Sequence, residues 1–480
     1  MKRNRIYLAV DLGAGSGRVL AGIYDGEKLS LEEINRFPCE TIELADGLHW
    51  NFPGILSEIK KGIALAVRKY GDQIVSLGVD TWGVDYGLLN HSGDLLGLPF
   101  LYRDKRTEGL MEAAYQQMPK AEIYQRTGIQ SLFFNTLYQL LAEMRSPRQD
   151  AVASTQLLFI PDLVNYFLTG QKVNERSIAS TGQLLRAETG EWDGELLEKM
   201  GIPVELLGKL VAAGTEIAGL RPELAEELGH TNLRIIAVGS HDTASAVAGV
   251  PAREESPVFL SSGTWSLIGR ELNHYVITDE SFRAGFSNEV GVLGTIRFLK
   301  NISGMWLLQE CKKCWDRQGL QLGFQELVDL AQKEPSTHIR INPDAEEFQS
   351  PCDMPFAIAD YCLKSAQETP QGPGQMTRII LESLADKYAE AKQSLERVTG
   401  QPVKKIYVVG GGSQNAFLNQ LTANATGCEI VAGPVEATSL GNILMQMISV
   451  GEINSLKEGR EIVATSFAVQ TFKPALDYSC

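Results

Sequence analysis

A chain of 480 residues is longer than one hydrophobic core usually grows, so its length points to two large domains or more. With 44% apolar and 21% charged residues it has the composition of a globular protein, neither disordered nor fibrous. Its formal net charge of −15 repels phosphate backbones and anionic lipid, which argues against a nucleic-acid or membrane-surface partner and leaves any polyanionic ligand to be met by local features.

In chain order, Ile6 to Leu12 is an apolar strand whose Asp11 interrupts anything resembling a secretory leader. A Gly-rich turn (Gly13 to Gly17), a strand (Arg18 to Tyr24), a turn at Asp25-Gly26 and a third strand follow. Ile74 to Leu89 reads as a buried strand, a sharp break at Trp82-Gly83 and a second strand. Trp82 and Gly83, flanked by Asp80 and Asp85, fit a sugar site, with a ring for carbon faces and carboxylates for hydroxyls; a strand with a bulge explains the same letters. Tyr102, Arg103, Asp104 and Arg106 read as a solvated ion-pair cluster.

Leu233 to Val238 is a second buried strand, followed by a polar turn and a small-residue helix from about Thr243, which makes the material α/β. Asp242 stands at that strand-to-helix junction. It serves there as a helix cap, or as a carboxylate at the mouth of an open sheet that takes a proton from a substrate hydroxyl. His241 beside it either bonds a sugar hydroxyl or is a half-buried turn residue. Val258 to Leu272 then repeats the opening strand, Gly turn and strand about 250 residues on. The repeat suggests two related domains, 1–248 and 249–480, with a boundary near Gly249 to Ser256.

The seven cysteines are odd in number and scattered, as in a reduced, cytoplasmic chain. Cys311 and Cys314 form a C-x-x-C with no second pair close by, which suits two cysteines on one helix better than a zinc site. No run of about eighteen apolar residues occurs, so no membrane span is expected. Glu368 to Gly374 reads as a surface loop, Ile379 to Val398 as a helix, Val408 to Asn415 as a strand end with a Gly turn, and Ala416 to Thr426 as a helix.

The Gly-rich turns match neither standard nucleotide template. The first lacks the P-loop Lys and enters a strand, and after Gly410-Gly411-Gly412 the third dinucleotide glycine is replaced by Asn415. What remains is hairpin turns whose amides can surround phosphate oxygens. Asp11, just before the first turn, either faces a magnesium ion carried by ATP phosphates or simply shapes the turn.

Nine segments together resemble the FGGY carbohydrate kinases over nearly the whole chain. They include AVDLGAGSGRV (Ala9 to Val19), GVDTWGVDYGLL (Gly78 to Leu89), SHDTASAV (Ser240 to Val247), LSSGTWSL (Leu260 to Leu267), LKNISGMWLLQ (Leu299 to Gln309) and VVGGGSQN (Val408 to Asn415). The likeness is strongest to the members that transfer a phosphoryl group from ATP to O1 of L-rhamnulose; kinases acting on xylulose, fuculose or glycerol, and an actin-like ATPase module without a sugar, are the alternatives. The resemblance implies two actin-like (ribonuclease H-like) ATPase domains with a cleft between them, ATP with Mg²⁺, a small-molecule ketose, and no obligate protein partner. By position, Ala14, Gly15, Ser16, Gly17 and Arg18 would form the first phosphate loop, and Thr264 part of the second, with Gln309 and Gly411 on the nucleotide side. Trp82, Gly83, His241, Asp242, Thr243 and Asn301 would line the ketose, Asp242 would take the O1 proton, and Asp11 would face the metal. GPVEATSLGN (Gly433 to Asn442) departs from the Gly/Ala-rich run most sugar kinases carry there.

Overall fold

The structure is a computed structural model describing residues 4–146, 154–349 and 351–475. The chain forms two compact units. The first comprises Met1–Arg253, Glu271–Phe298 and Ala437–Phe467, and the second Glu254–Arg270, Leu299–Glu436 and Ala468–Cys480. Two later segments of the chain thus return to the first unit.

In the first unit a six-stranded sheet runs, edge to edge, Glu216–Gly219, Arg234–Ile236, Ile74–Thr81, Arg5–Leu12, Ser16–Tyr24 and Leu29–Pro38. Its three middle strands, Arg234–Ile236, Ile74–Thr81 and Arg5–Leu12, are parallel, and the strands beyond Arg5–Leu12 are antiparallel hairpins. Period-two alternation decides what each face meets. Ile6, Leu8, Val10 and Leu12 join the core with Phe52, Ile55, Ile59 and Ile63, the apolar stripe of the helix Phe52–Tyr70. That helix begins where Asn51 Oδ1 accepts the Gly54 amide (3.1 Å), with Pro53 tolerated in the first turn. Tyr7 and Ala9 point the other way, against Leu440, Ile443 and Leu444 of the helix Ala437–Ser449. Asp11 continues the Tyr7 and Ala9 face.

The helix Ala437–Ser449 also packs on Asp242–Ala248 at very short range. A Cβ on Gly441 would stand 1.8 Å from the Ser245 carbonyl oxygen, and one on Gly249 2.1 Å from that of Ala437. Only glycine permits this approach.

A second sheet, of seven strands, runs Ser287–Val290, Ile296–Ser303, Trp265–Leu272, Val258–Ser262, Lys405–Val409, Glu429–Ala432 and Gln470–Phe472. Val258–Ser262 pairs antiparallel with Trp265–Leu272 and parallel with Lys405–Val409, as Arg5–Leu12 does with Ser16–Tyr24 and Ile74–Thr81. The two sheets thus share the pairing of their central strands, as a duplicated architecture requires.

Two local expectations are revised. The helix Gly372–Thr399 starts within the stretch read as a loop, because Pro373 sits in its first turn, where proline costs no hydrogen bond. Arg106 and Asp104 are not solvated: Arg106 is bonded to Glu143 and to Gln139 (2.9 Å), and Asp104 is 8% exposed and accepts the Leu48 and Arg106 amides. Cys311 and Cys314 lie buried on the helix Trp306–Arg317 with free thiols. Among the described residues no helix is long and apolar enough to cross a membrane.

Candidate active site

Parallel strands of an α/β sheet deliver their carboxyl ends to one edge, and that is where the first unit gathers its chemistry. Leu12, Thr81 and Ser240 end neighbouring stretches tied by Thr81 N to Ser240 O (2.9 Å) and Trp82 N to Leu12 O (3.2 Å). His241 caps the helix Asp242–Ala248, and Asp242 is its first residue. The Asp242 side chain keeps 35% of its surface exposed; its Oδ1 accepts the Thr243 hydroxyl (3.0 Å) and lies 3.4 Å from His241 Nε2. The protein mass around it pushes its carboxyl above the usual range, the Asp11 charge adds to this, and His241 and Thr243 oppose it.

Behind His241 stands a buried ion pair that the sequence did not reveal. Arg297 Nη1 lies 3.0 Å from Glu289 Oε2 and 3.0 Å from His241 Nδ1, and Glu289 Oε2 lies 3.2 Å from the same nitrogen. Burial works to raise the Glu289 carboxyl, but Arg297 and His241 hold it below the ordinary range.

Asp11 and Asp80 are register partners on adjacent strands. Asp11 Oδ2 meets Arg18 Nη2 at 2.6 Å and accepts the Ser439 hydroxyl at 3.0 Å. Asp80 is fully buried, and its Oδ2 accepts Asn442 Nδ2 at 2.6 Å. Desolvation, with Asp11 and Asp242 nearby, pushes the Asp80 carboxyl up. Ser439 and Asn442 come from the segment that departs from the family run. With Gln446, which accepts the Ser76 hydroxyl (2.8 Å), they form a polar stripe at three- and four-residue spacing on a helix otherwise buried in apolar core. That spacing was the signal available in the sequence.

Trp82 is 6% exposed and packs on Trp50, ring centroids 4.1 Å apart. Both indoles donate to Asp85 Oδ2, Trp50 at 2.7 Å and Trp82 at 3.0 Å, while Gln139 donates to Oδ1 at 3.1 Å. Burial raises the Asp85 carboxyl to about 6. The reading of Asp85 as a carboxylate open to sugar hydroxyls is thus corrected, since both its oxygens accept from protein donors, whereas Asp80 is buried with only Oδ2 engaged. Gly83 follows Trp82, and a Cβ there would stand 3.2 Å from Thr181 Oγ1.

In the turn after Asp11, Ala14 and Gly15 are exposed, and nothing lies within 4 Å of where a Gly15 Cβ would stand. Gly17 is different. It is paired inside the sheet with Leu12 and Phe37, and a Cβ would meet the Phe37 ring at 2.5 Å, so its backbone serves packing.

In the second unit, Thr264 and Gln309 are brought together, with Thr264 Oγ1 donating to Gln309 Oε1 at 3.1 Å. The Thr264 carbonyl also accepts the Gly304 and Trp306 amides, so the turn and the start of the helix Trp306–Arg317 form one knot. In the triple glycine, Gly412 is pressed against Ser262, whereas Gly411 is exposed with no atom within 4 Å of its Cβ position. Asn301, on Ile296–Ser303, belongs to this unit. Open turns such as Gly15 and Gly411 fit phosphate-bearing ligands that approach backbone closely. No group of three or more His, Cys, Asp or Glu among the described residues is arranged to hold a metal.

The model of the FGGY family of carbohydrate kinases, N-terminal domain, matches residues 6–249, and that of the C-terminal domain matches residues 258–450. The chain is 42% identical over 474 residues to the rhamnulokinase of Bacteroides thetaiotaomicron, covering 99% of this chain and 96% of the relative. It is 39% identical to the rhamnulokinase of Bacillus subtilis over 98% of this chain and 95% of that one. Among solved structures, a ligand-bound xylulose kinase from Lactobacillus acidophilus superimposes with a TM-score of 0.79 at 17% identity, covering 98% of this chain and 94% of that one. A glycerol kinase with ADP from Plasmodium falciparum gives 0.77 at 16%, covering 98% and 94%. With both domain models matched in order and full-length relatives so similar, the chain belongs to the FGGY family of carbohydrate kinases and has its two-domain fold.

Proposed function

We propose that this enzyme transfers the γ-phosphoryl group of ATP to O1 of L-rhamnulose, giving L-rhamnulose 1-phosphate and ADP, a step of L-rhamnose catabolism. The observation that carries the substrate is the 42% identity over 99% of the chain to a rhamnulokinase. The geometry supports the chemistry, because Asp242 is an accessible carboxylate made more basic by its surroundings.

Asp242 accepts the O1 proton as O1 bonds to the γ-phosphorus. The bond from that phosphorus to the bridging oxygen breaks, and the oxygen leaves with ADP. His241, held by Glu289 and Arg297, orients the ketose together with Thr243, Trp82, Gly83 and Asn301. Ala14, Gly15, Ser16 and Arg18 meet phosphate, with Gly17 fixing the loop in the sheet, while Thr264, Gln309 and Gly411 line the nucleotide. Asp11 would hold the magnesium ion that ATP phosphates carry, and the ion would neutralise phosphate charge when bound. Use of ATP and the free thiols of the six cysteines among the described residues fit a cytoplasmic setting.

Ketose kinases of this fold differ in substrate, so kcat/KM across L-rhamnulose, L-fuculose, xylulose and glycerol is the decisive measurement. L-Rhamnulose is expected to lead by tenfold or more; a higher value for any other sugar would reassign the substrate.

A further inference from the structure

One short helix, Arg176–Ser180, has no part in the roles above, yet the side chains in and around it reach four backbone points of the candidate site. Glu175 Oε2 accepts the Ser240 amide at 3.2 Å and the Ile178 amide at 3.2 Å, and it also accepts the Ser177 hydroxyl. Ser177 Oγ accepts the His241 amide at 3.2 Å. Ser180 Oγ accepts the Val290 amide at 2.9 Å, next to Glu289, and Thr181 Oγ1 accepts the Val84 amide at 3.1 Å, next to Gly83. Glu175 and Ser177 are fully buried, and Ser180 and Thr181 are 3% and 5% exposed.

Two physical points raise this above ordinary packing. A serine hydroxyl has one proton, so donating it to Glu175 turns the lone pairs of Ser177 toward the His241 amide; the carboxylate fixes the rotor. Val84 has φ of +69°, a conformation disfavoured for a β-branched residue. It is held from both ends, with Thr181 on its amide and Thr136 Oγ1 donating to its carbonyl at 2.7 Å.

We propose that Glu175–Thr181 is the positioning element of the ketose half of the site, with Ser177 setting His241 and Asp242, and Thr181 setting the Gly83-Val84 turn. The inference rests on Asp242 as the base and Gly83 as a ketose contact.

The test is steady-state kinetics of the full chain with L-rhamnulose and ATP. Ser177→Ala should lower kcat at least tenfold while the KM for ATP stays within twofold. Thr181→Val keeps the shape but loses the acceptor, and should raise the ketose KM at least fivefold, whereas Thr181→Ser should behave as wild type. Should Ser177→Ala fail to fold, the Thr181 pair carries the test alone. The inference is overturned if the Thr181 variants are equally impaired, or if Ser177→Ala and Thr181→Val both stay within twofold of wild type while Asp242→Asn has lost turnover. An Asp242→Asn enzyme that keeps half its turnover would instead sink the reading of the base, and the inference with it.

Discussion

Arg18 Nη2 sits 2.6 Å from Asp11 Oδ2, the two residues facing each other across neighbouring antiparallel strands. A carboxylate held by a guanidinium on one oxygen is fixed in direction without being saturated. If Asp11 faces magnesium, Asp11→Ala should raise the free Mg²⁺ needed for half-maximal rate about tenfold or more. Titration of Mg²⁺ at saturating ATP and ketose measures this, and an unchanged requirement would leave Asp11 a turn-shaping residue only.

Asp242→Asn keeps size and removes basicity. General-base catalysis contributes roughly 10²- to 10⁴-fold, so kcat should fall by at least about 10². Calorimetric binding of ketose and of ATP should persist, which separates lost chemistry from lost binding.

Asp85 gives a pH-dependent signature. Its native carboxyl titrates at about 6 against an ordinary 3.8, because burial disfavours the charge. The native state therefore binds this proton more tightly than the unfolded chain, so the stabilisation is fully present below about 4 and is lost as pH rises through 6. At 1.36 kcal/mol per pKa unit, the stability of wild type relative to Asp85→Asn should improve by up to about 3 kcal/mol on going from pH 7 to pH 4. Urea unfolding of both proteins across that range measures the difference; a flat difference would place the Asp85 proton elsewhere. Asp85→Asn should also raise the ketose KM, since an amide cannot accept from both indoles and from Gln139 without one of its own N–H groups facing a donor.

Gly441→Ala tests the helix contact behind Asp242. With its Cβ directed 1.8 Å from the Ser245 carbonyl oxygen, the two helices must separate. Overpacking of this kind costs about 1–3 kcal/mol. Denaturant unfolding should show that loss, together with a fall in kcat as the Asp242 helix shifts.

Both strand-turn-strand openings were legible because strand alternation and Gly turns are local signals, and the place of Asp242 at the start of a helix was legible because it stands between an apolar run and a small-residue stretch, whereas its role was not, since a cap and a base look alike there. The partners of these residues were not. Glu289 and Arg297 lie about fifty residues from His241 in sequence and look like ordinary surface charges until the strands carrying them are buried. Asp80 and Asp85 carried the right residue type for sugar hydroxyls, but which donors would claim them depended on Trp50, Gln139 and Asn442, remote in sequence. Gly17 and Gly15 read alike as letters; only the Phe37 ring against one of them separates a packing glycine from an open one.

The helix Ala437–Ser449 also governs when the enzyme can exist. A ribosome delivers the strands bearing Asp11 and Asp80, and then Asp242, long before it delivers Ser439, Asn442 and Gln446, which brace the first two strands, or Gly441, which seats the third residue's helix. A nascent chain halted before this helix leaves Tyr7, Ala9, Tyr24 and Leu29 without the apolar residues they pack against, so these late residues act as the keystone of the first sheet.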